Sequence, residues 1–207
     1  MNRSEDVKLP FMIRMSYTRD LFKARTNEEN TKTQYGLTGL IPKSQDLAIL
    51  TKLIKEVSVA EWGDKALEWL KDETIKSPIL DGDGKQGKDK KTGDRKEGYA
   101  DHWFIRMTSG ENFKPTVVDK KRNPIVKEED CPSGWYAYVV VNAYTWENTK
   151  NGKGVSFGIS LVQVAKEGGR LGGTGGADPD KFFDVIDDEG DAPEETKSGK
   201  GAGGLFS

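Results

Sequence analysis

Residues 134–165 read GWYAYVVVNAYTWENTKNGKGVSFGISLVQVA, and they carry the clearest structural signal in the chain. The segment follows a Pro-Ser-Gly turn signal and begins with a run of aromatic and β-branched residues, the types that strands favour. A polar segment containing Asn151-Gly152 comes next, and residues 155–164 form a second β-rich run. Two such runs on either side of an Asn-Gly loop predict a β-hairpin.

The first strand of this hairpin is predicted to have two unlike faces, because side chains alternate across a strand. One face is small and aliphatic, as a packed core requires, and it carries Ala137, Val139, Val141, Ala143 and Thr145. The other face is largely aromatic, and it carries Tyr136, Tyr138, Val140, Asn142, Tyr144 and Trp146. Lys150 and Lys153 follow close to the end of that aromatic face.

An aromatic strand face beside cations suits an unpaired nucleic acid. Bases stack on flat rings at roughly 1–3 kcal/mol each, whatever the base sequence, and phosphates pair with cations. The alternative is structural, since such rings also cover a core or pair with each other across strands. The hairpin by itself leaves both interpretations open.

Composition limits the classes of protein to which the chain can belong. At 207 residues it is long enough for one domain with an appendage, and with 32% charged residues some segment is expected to be solvated. An apolar run of about 18 residues is missing, and the first ten residues lack the apolar centre of a signal peptide. We therefore expect a cytoplasmic protein without a membrane span.

Cysteine and histidine each occur once in the sequence, as Cys131 and His102. A single cysteine excludes an internal disulfide, and the two residues together cannot form the usual four-ligand zinc site of His and Cys. Cys–His catalysis would require these two single residues to meet in the fold. The sequence therefore indicates no cofactor and no metal.

The net charge of −2 conceals an asymmetry along the chain. Residues 178–207 contain nine acidic and three basic residues, a net −6, which leaves +4 on residues 1–177. A mildly basic body is compatible with nucleic-acid binding only if its cations are clustered.

Upstream of the hairpin, the sequence predicts two strands. Alternation over residues 7–22 indicates a strand with Arg14 pointing outward. Residues 33–41 indicate a second strand, which Gly36 and Gly39 are expected to bend.

Two helices are predicted after these strands. The first is expected to begin with Ser44 as its N-cap, and its buried stripe is Leu47, Leu50, Leu53, Ile54 and Val57. Residues 58–59 are predicted to interrupt it. Residues 61–71 are predicted to form a short second helix, which buries Trp62 and Trp69 in the core.

Residues 76–98 are polar, basic and rich in glycine, and they predict a mobile basic loop. Its Asp81-Gly-Asp83-Gly segment resembles the start of a calcium-binding loop. Lys85 and Thr92, however, occupy the fifth and twelfth positions, where such a loop needs oxygen ligands. The spacing of a phosphate-binding P-loop is also missing, so the segment is either a solvated connector or a contact surface for DNA.

Residues 101–108 and 114–119 predict two further strands, the second followed by a basic turn. About six strands with one helical insertion favour a mainly β fold, an OB-fold-like antiparallel barrel, with a β-sandwich as second choice. The domain is predicted to span residues 1–172. Residues 173–207 are predicted to be a glycine hinge and a disordered acidic tail, since they contain too few apolar residues to offset the entropy of ordering.

Several short segments resemble a family of phage-encoded single-stranded DNA-binding proteins that was formerly described as a domain of unknown function. They are Gly134-Trp135-Tyr136, Gly154-Val155-Ser156-Phe157-Gly158, Val162-Gln163, Leu40-Ile41-Pro42-Lys43 and Pro115-x-Val-Val-Asp119. The resemblance covers roughly residues 7–172. It implies an OB-fold core that coats single-stranded DNA during phage DNA replication or recombination.

The tail is similar in kind to the acidic tails of other single-stranded DNA-binding proteins. The bacterial tails end in an acidic run closed by Pro-Phe, whereas here Ser207 follows Phe206 and glycines separate the acids from it. Leu205 and Phe206 are therefore expected to bind partner proteins, with the host partner unspecified. The acidic residues are expected to compete with DNA for the basic body.

The hypothesis is a protein without enzymatic activity that binds single-stranded DNA with little sequence preference. The candidates for base stacking are Trp103, Tyr138, Tyr144 and Trp146. The candidates for phosphate contact are Arg14, Arg106, Lys114, Lys120, Lys121, Arg122, Lys150 and Lys153. The expected partners are single-stranded DNA and, through the tail, replication or recombination proteins; a homodimer is left open, and no membrane is involved.

Two rival functions remain at this point. The first is a metal-dependent nuclease, for which the available carboxylates are Asp81, Asp83, Asp89 and Asp101. The second is a recombination adaptor whose function lies in its tail.

Overall fold

Ten strands form one sheet in the computed structural model, which describes residues 1–26 and 32–172. The strands are β1 (Val7–Lys8), β2 (Ile13–Ser16), β3 (Arg25–Thr26), β4 (Thr33–Pro42), β5 (Ile75–Lys76), β6 (Ile79–Asp81), β7 (His102–Gly110), β8 (Thr116–Val118), β9 (Tyr136–Asn148) and β10 (Gly152–Lys166). The α-helices are α1 (Arg19–Phe22), α2 (Ala48–Trp62) and α3 (Ala66–Lys71). The mainly β class is as predicted.

Five of these strands close into a barrel in the order β2-β4-β7-β10-β9 and back to β2. Numbered along the chain, this order is 1-2-3-5-4-1, a closed five-stranded Greek-key barrel of the OB-fold type. The β7–β10 pair is parallel, and the other four pairs are antiparallel. The predicted OB-fold barrel is therefore confirmed, with the correction that one of its junctions is parallel.

The predicted hairpin is present as β9 and β10. Trp146 pairs with Gly154, Tyr144 with Ser156 and Tyr138 with Gln163, and the register shifts between Ile159 and Leu161. Such a shift adds a residue to one strand and increases its twist, which a small closed barrel needs.

The small aliphatic face of β9 lies inside the barrel, as predicted. Its residues are at most 1% exposed, and they are Ala137, Val139, Val141, Ala143 and Thr145. They pack in one core with side chains such as Ile13, Met107 and Phe157. Gly39 of β4 leaves space for this packing, because a Cβ atom there would lie 2.7 Å from Ile13 Cδ1.

The predicted strand over residues 7–22 is broken into β1, β2 and the short helix α1. Pro10 lies between β1 and β2, and proline has no N–H to donate to a ladder. The prediction of one continuous strand from the alternation of residues 7–22 is therefore wrong.

The predicted start and interruption of the first helix are wrong. The Asp46 carboxylate, not Ser44, accepts a hydrogen bond from the Ala48 N–H at 2.8 Å. Residues 58–59 are helical, because serine and valine each lower helix propensity only slightly. The helix ends at Gly63, whose φ is +70°. Four members of the predicted stripe, Leu50, Leu53, Ile54 and Val57, are buried, whereas Leu47 precedes the helix and is half-buried. No helix in the described ranges is long and apolar enough to cross a membrane.

Residues 76–98, predicted to be a mobile basic loop, are loop for most of their length but also contain regular structure. The segment contains β6, which pairs with β7, and a tight approach of Gly87 to the Gly82 carbonyl, where a Cβ atom has no room. A second small apolar cluster covers part of the outer side of β4 and β7, and it consists of Leu40, Tyr99, Phe104, Leu171 and the half-buried Leu80. The glycines here permit close backbone packing, a role that the composition does not distinguish from flexibility.

Candidate nucleic-acid interface

The aromatic face of β9 lies on the outside of the barrel. Tyr138, Tyr144 and Trp146 are all partly exposed, whereas their neighbours on the opposite face are buried. The rings are therefore not part of the barrel core, and each has a side available to a ligand.

Tyr144 and Trp146 occupy one end of this face. The Tyr144 hydroxyl lies 3.2 Å from Thr108 Oγ1 of β7, and the Arg3 guanidinium lies 5.6 Å from the centre of the Tyr144 ring. Gly154 on β10 makes room for the Trp146 ring, since a Cβ atom there would lie 2.5 Å from a ring carbon. A cation and two adjacent rings thus share one surface.

The N-terminal segment, residues 1–8, holds Arg3 in that place by running along β9. Ser4 N donates to the Ala143 carbonyl at 2.8 Å, and Thr145 N donates to the Asn2 carbonyl at 2.9 Å. Glu61 of α2 accepts hydrogen bonds from the terminal amino group at 3.0 Å and from Asn2 Nδ2 at 2.8 Å. The terminal amino group is the main cause that lowers the pKa of Glu61.

Tyr138 lies at the other end of the face, in a groove of about 270 Å³. We call this the Tyr138 groove; it is formed by β1, β8, β9, β10 and the turn after β8, and its lining includes Lys8, Val118, Arg122, Tyr138, Val140, Leu161 and Gln163. Lys8 Nζ lies 4.7 Å from the centre of the Tyr138 ring. The floor is apolar, with Leu161 44% exposed, and cations lie on its rim.

The turn at residues 119–123 presents three exposed cations beside this groove, Lys120, Lys121 and Arg122. Asp119 stabilises the turn by accepting hydrogen bonds from the Lys121 N–H at 2.7 Å and from both the backbone and the side chain of Asn123 at 2.8 Å. The Asn123 side chain is the main cause that lowers the pKa of Asp119. Gln163 Nε2 donates to the carbonyls of Asp119 and Lys120 and so attaches the turn to β10.

Trp103 is not grouped with the other three candidate rings. It shares the core-facing side of β7 with Ile105 and Met107, and Lys43 Nζ lies 5.1 Å from its ring centre. The charge of Lys43 is already balanced, because its ammonium group lies 2.8 Å from Asp81 and 2.7 Å from Asp83. Hydrogen bonds to these two carboxylates raise the pKa of Lys43.

Several of the candidate cations have contacts within the protein. Arg14 donates to the backbone carbonyls of Gly134 at 3.2 Å and Gly169 at 3.0 Å. Lys153 Nζ lies 3.7 Å from the centre of the Trp69 ring, beside the helices, and Lys114 Nζ lies 5.9 Å from that of Phe22. Lys150 is exposed in the turn between β9 and β10.

Arg106 is exposed on the outer side of β7, two residues before Thr108 and therefore on the same face. Since Thr108 contacts Tyr144, Arg106 belongs to the same surface as the Tyr144 and Trp146 rings.

Sequence reasoning missed Arg3 and Lys8, which face two of the candidate rings. Their placement depends on the pairing of the N-terminal segment with β9, including the Arg3–Tyr144 bridge and the Lys8–Val140 pair. Arg3 and Lys8 are each more than a hundred positions from their partners in β9, so no local pattern indicates the contact.

Three of the four carboxylates considered for a nuclease, those of Asp81, Asp83 and Asp89, accept hydrogen bonds or form ion pairs within the fold. Asp81 and Asp83 bind Lys43, Asp83 also accepts the Asp101 N–H at 3.3 Å, and Asp89 accepts the Lys91 N–H at 2.8 Å. Within residues 1–26 and 32–172, no group of three or more His, Cys, Asp or Glu side chains is arranged to hold a metal ion.

Cys131 is fully buried, and burial raises the pKa of its thiol to about 12. A buried neutral thiol is a poor nucleophile, because the thiolate is the reactive form. His102 Nδ1 lies 2.6 Å from the Ala100 carbonyl.

Comparison with known proteins identifies the family of the chain. The family model described as "Enterobacter phage Enc34, ssDNA-binding protein" matches residues 6–193. The chain belongs to this family. The resemblance stated from the sequence is therefore confirmed.

One relative is putative protein p50 of Acyrthosiphon pisum secondary endosymbiont phage 1, which is 31% identical over 159 residues, covering 73% of this chain and 79% of the relative. Two solved structures of the single-stranded DNA-binding protein from bacteriophage Enc34 share the fold. The complex with ssDNA has a TM-score of 0.55 at 21% identity, covering 81% of this chain and 88% of that one. The C-terminal truncation has a TM-score of 0.55 at 23% identity, covering 80% and 87%.

Proposed function

We propose that this member of the Enc34 family binds single-stranded DNA with little sequence preference and coats it during phage DNA replication or recombination. The observation that carries the proposal is the outer face of β9, where Tyr138 and Tyr144 are partly exposed and each has a cation above its ring. Family membership supports the same function, because the family is described by its single-stranded DNA-binding member.

The chemistry follows from the two kinds of side chain. Rings on a strand accept bases by stacking, at roughly 1–3 kcal/mol per base, and this stacking does not discriminate strongly among bases. Cations beside the rings neutralise phosphates and release counterions, so affinity falls with salt by about 0.7 log unit per contact for each tenfold increase.

Within this proposal, Tyr138, Tyr144 and Trp146 stack bases, and Arg106 and the turn at residues 119–123 contact phosphates. Trp103, which is partly buried against the core, remains a proposed stacking residue. The other proposed phosphate contacts are Arg14, Lys114, Lys150 and Lys153. In the structure each of these side chains contacts another group of the protein, so each has to turn toward DNA in order to bind it.

The tail belongs to the proposal as well, although residues 173–207 lie outside the described residues. Its nine acidic residues compete with DNA for the basic body, and Leu205 and Phe206 bind replication or recombination proteins. The protein acts by binding rather than by catalysis, in the host cytoplasm where phage DNA is copied, and a homodimer is compatible with this role.

The test is a titration of labelled oligo-dT and of a duplex of equal length, at several salt concentrations. We expect oligo-dT to bind more tightly than the duplex, with a steep salt dependence, and we expect removal of residues 178–207 to tighten binding at low salt. Affinity for oligo-dT that does not exceed that for the duplex, or that does not respond to salt, would refute the proposal.

A further inference from the structure

Tyr17, directly after β2, combines exposure with an unfavourable backbone conformation. Its side chain is 45% exposed, and its φ is +60°, in the left-handed region that bulky residues rarely adopt. The neighbouring backbone fixes this conformation, since Thr18 N donates to Ser133 Oγ at 3.2 Å and Gly134 N donates to the Met15 carbonyl at 2.7 Å. Strain of this kind persists where the surroundings enforce it, often at ligand-binding positions.

One cation, Lys96, lies over this ring, and a second cation, Arg106, lies close to Lys96. Lys96 Nζ is 5.8 Å from the centre of the Tyr17 ring and 5.6 Å from that of Tyr99. The Arg106 guanidinium lies 5.4 Å from the centre of the Phe104 ring, which lies 5.1 Å from that of Tyr99, so the two cations flank one pair of rings. Burial, and then the positive charge of Arg106, lower the pKa of Lys96. Asp89 opposes this effect and Lys90 adds to it.

Neither of these cations is matched by a carboxylate at contact distance. Within the described ranges of the chain, no salt bridge joins Lys96 or Arg106 to an aspartate or glutamate. A phosphate placed between them would relieve their repulsion and form charge-assisted hydrogen bonds. The pair is therefore suited to binding a phosphate.

This cluster is continuous with the outer surface already described. Arg106 and Thr108 point to the same side of β7, and Thr108 contacts Tyr144 of β9. Side chains two residues apart on a strand are about 7 Å apart, close to the spacing of successive nucleotides in an extended strand. The surface thus runs from Tyr17 through Lys96 and Arg106 to Tyr144.

We propose that Tyr17 is a further base-stacking residue and that Lys96 and Arg106 hold the phosphate of the same nucleotide, so that bound DNA crosses the outer side of β7 between Tyr17 and Tyr144. This inference rests on the proposed function and adds Tyr17 and Lys96 to its residues. The left-handed backbone at Tyr17 keeps the ring on the surface, where a base reaches it.

The test compares full-length variants in matched pairs. Tyr17→Asn removes the ring but keeps a residue that tolerates the left-handed conformation, and Phe113→Asn removes a ring that is 74% exposed elsewhere. Lys96→Met removes the proposed phosphate contact, and Lys52→Met removes a lysine that pairs with Glu56 on α2. Oligo-dT affinity, its salt slope and the thermal midpoint are measured for each variant.

We expect Tyr17→Asn to weaken oligo-dT binding by about tenfold, with a thermal midpoint equal to or above that of the wild type. We expect Lys96→Met to reduce the log–log salt slope by about 0.7. Phe113→Asn and Lys52→Met should match the wild type in both respects.

The results also separate this inference from the function on which it rests. If the wild type binds oligo-dT and Tyr17→Asn and Lys96→Met bind it equally well, the inference is wrong and the proposed function stands. A loss of affinity in Tyr17→Asn that Phe113→Asn shares, or that accompanies a lowered midpoint, also overturns it. Failure of the wild type to bind oligo-dT refutes the proposed function, and this inference with it.

Discussion

The two faces of β9 differ in composition, burial and neighbours although they belong to the same thirteen residues. Val139 and Val141 on the inner face are at most 1% exposed and pack in the barrel core. Tyr138 and Tyr144 on the outer face stay partly exposed, each beneath a cation from the N-terminal segment. The core is complete without the rings, so stability and binding should depend on separate sets of side chains.

The largest expected effect is on the inner face. Val141→Asp places a carboxylate in an apolar core without a partner, which costs more than about 4 kcal/mol of the free energy of unfolding. Circular dichroism should show a protein that is unfolded or that melts far below the wild type. A folded Val141→Asp variant of normal stability would contradict the assignment of the inner face.

The second effect is on the outer face. Tyr144→Ala combined with Trp146→Ala removes two stacking rings, each contributing roughly 1–3 kcal/mol, so affinity for oligo-dT should fall by at least about thirtyfold. The free energy of unfolding should change much less than in Val141→Asp, as urea denaturation will show. Phe113→Ala is the matched control for the loss of an exposed ring. If the double variant bound oligo-dT as tightly as the wild type, the outer face of β9 would not be part of the interface.

A smaller effect is expected from the turn beside the Tyr138 groove. Lys120→Gln with Lys121→Gln removes two proposed phosphate contacts and should reduce the log–log salt slope by about 1.4. The same two changes at Lys52 and Lys55 of α2 serve as the control and should leave the slope unchanged. A slope that responds equally to both pairs would indicate a general effect of net charge.

The smallest expected effect concerns Glu61 of α2, which binds the N-terminal segment and Thr145 of β9. Hydrogen bonds from the terminal amino group, Asn2 and Thr145 lower the pKa of Glu61 in the folded protein. The Glu61 carboxylate therefore stabilises the fold above the ordinary pKa of glutamate, and this stabilisation is lost as the pH falls through the lowered pKa of the folded state. Glu61→Gln should therefore melt slightly below the wild type near neutral pH, and the difference should disappear in acid. A difference that is independent of pH would contradict this role, and calorimetry over a pH series measures it.

Much of this contrast was predictable from sequence, because the signals involved are local. The alternation of residues 134–165 gave both faces of β9 correctly, and the turn signals placed the hairpin. The apolar stripe of α2 was predicted as it occurs, with Leu50, Leu53 and Val57 buried. Periodicity identifies such elements because each side chain depends mainly on its own strand or helix.

The features that the sequence did not predict depend on contacts between distant parts of the chain. The N-terminal segment supplies Arg3 and Lys8 to β9 through pairing that no local pattern encodes. Residues 76–98 fold onto the sheet through glycine contacts that composition alone suggests are flexible. Trp103 lies on the same side of β7 as Ile105 and Met107, and only the structure separates that side from the Tyr144 surface.

The central claim, that the outer face of β9 holds unpaired DNA, is tested most directly by tryptophan fluorescence during titration with poly-dT. We predict quenching that saturates at a defined number of nucleotides per protein, that is weak with duplex DNA, and that is largely lost in Trp146→Phe. Quenching that is the same in Trp146→Phe, or equally strong with duplex DNA, would contradict the account.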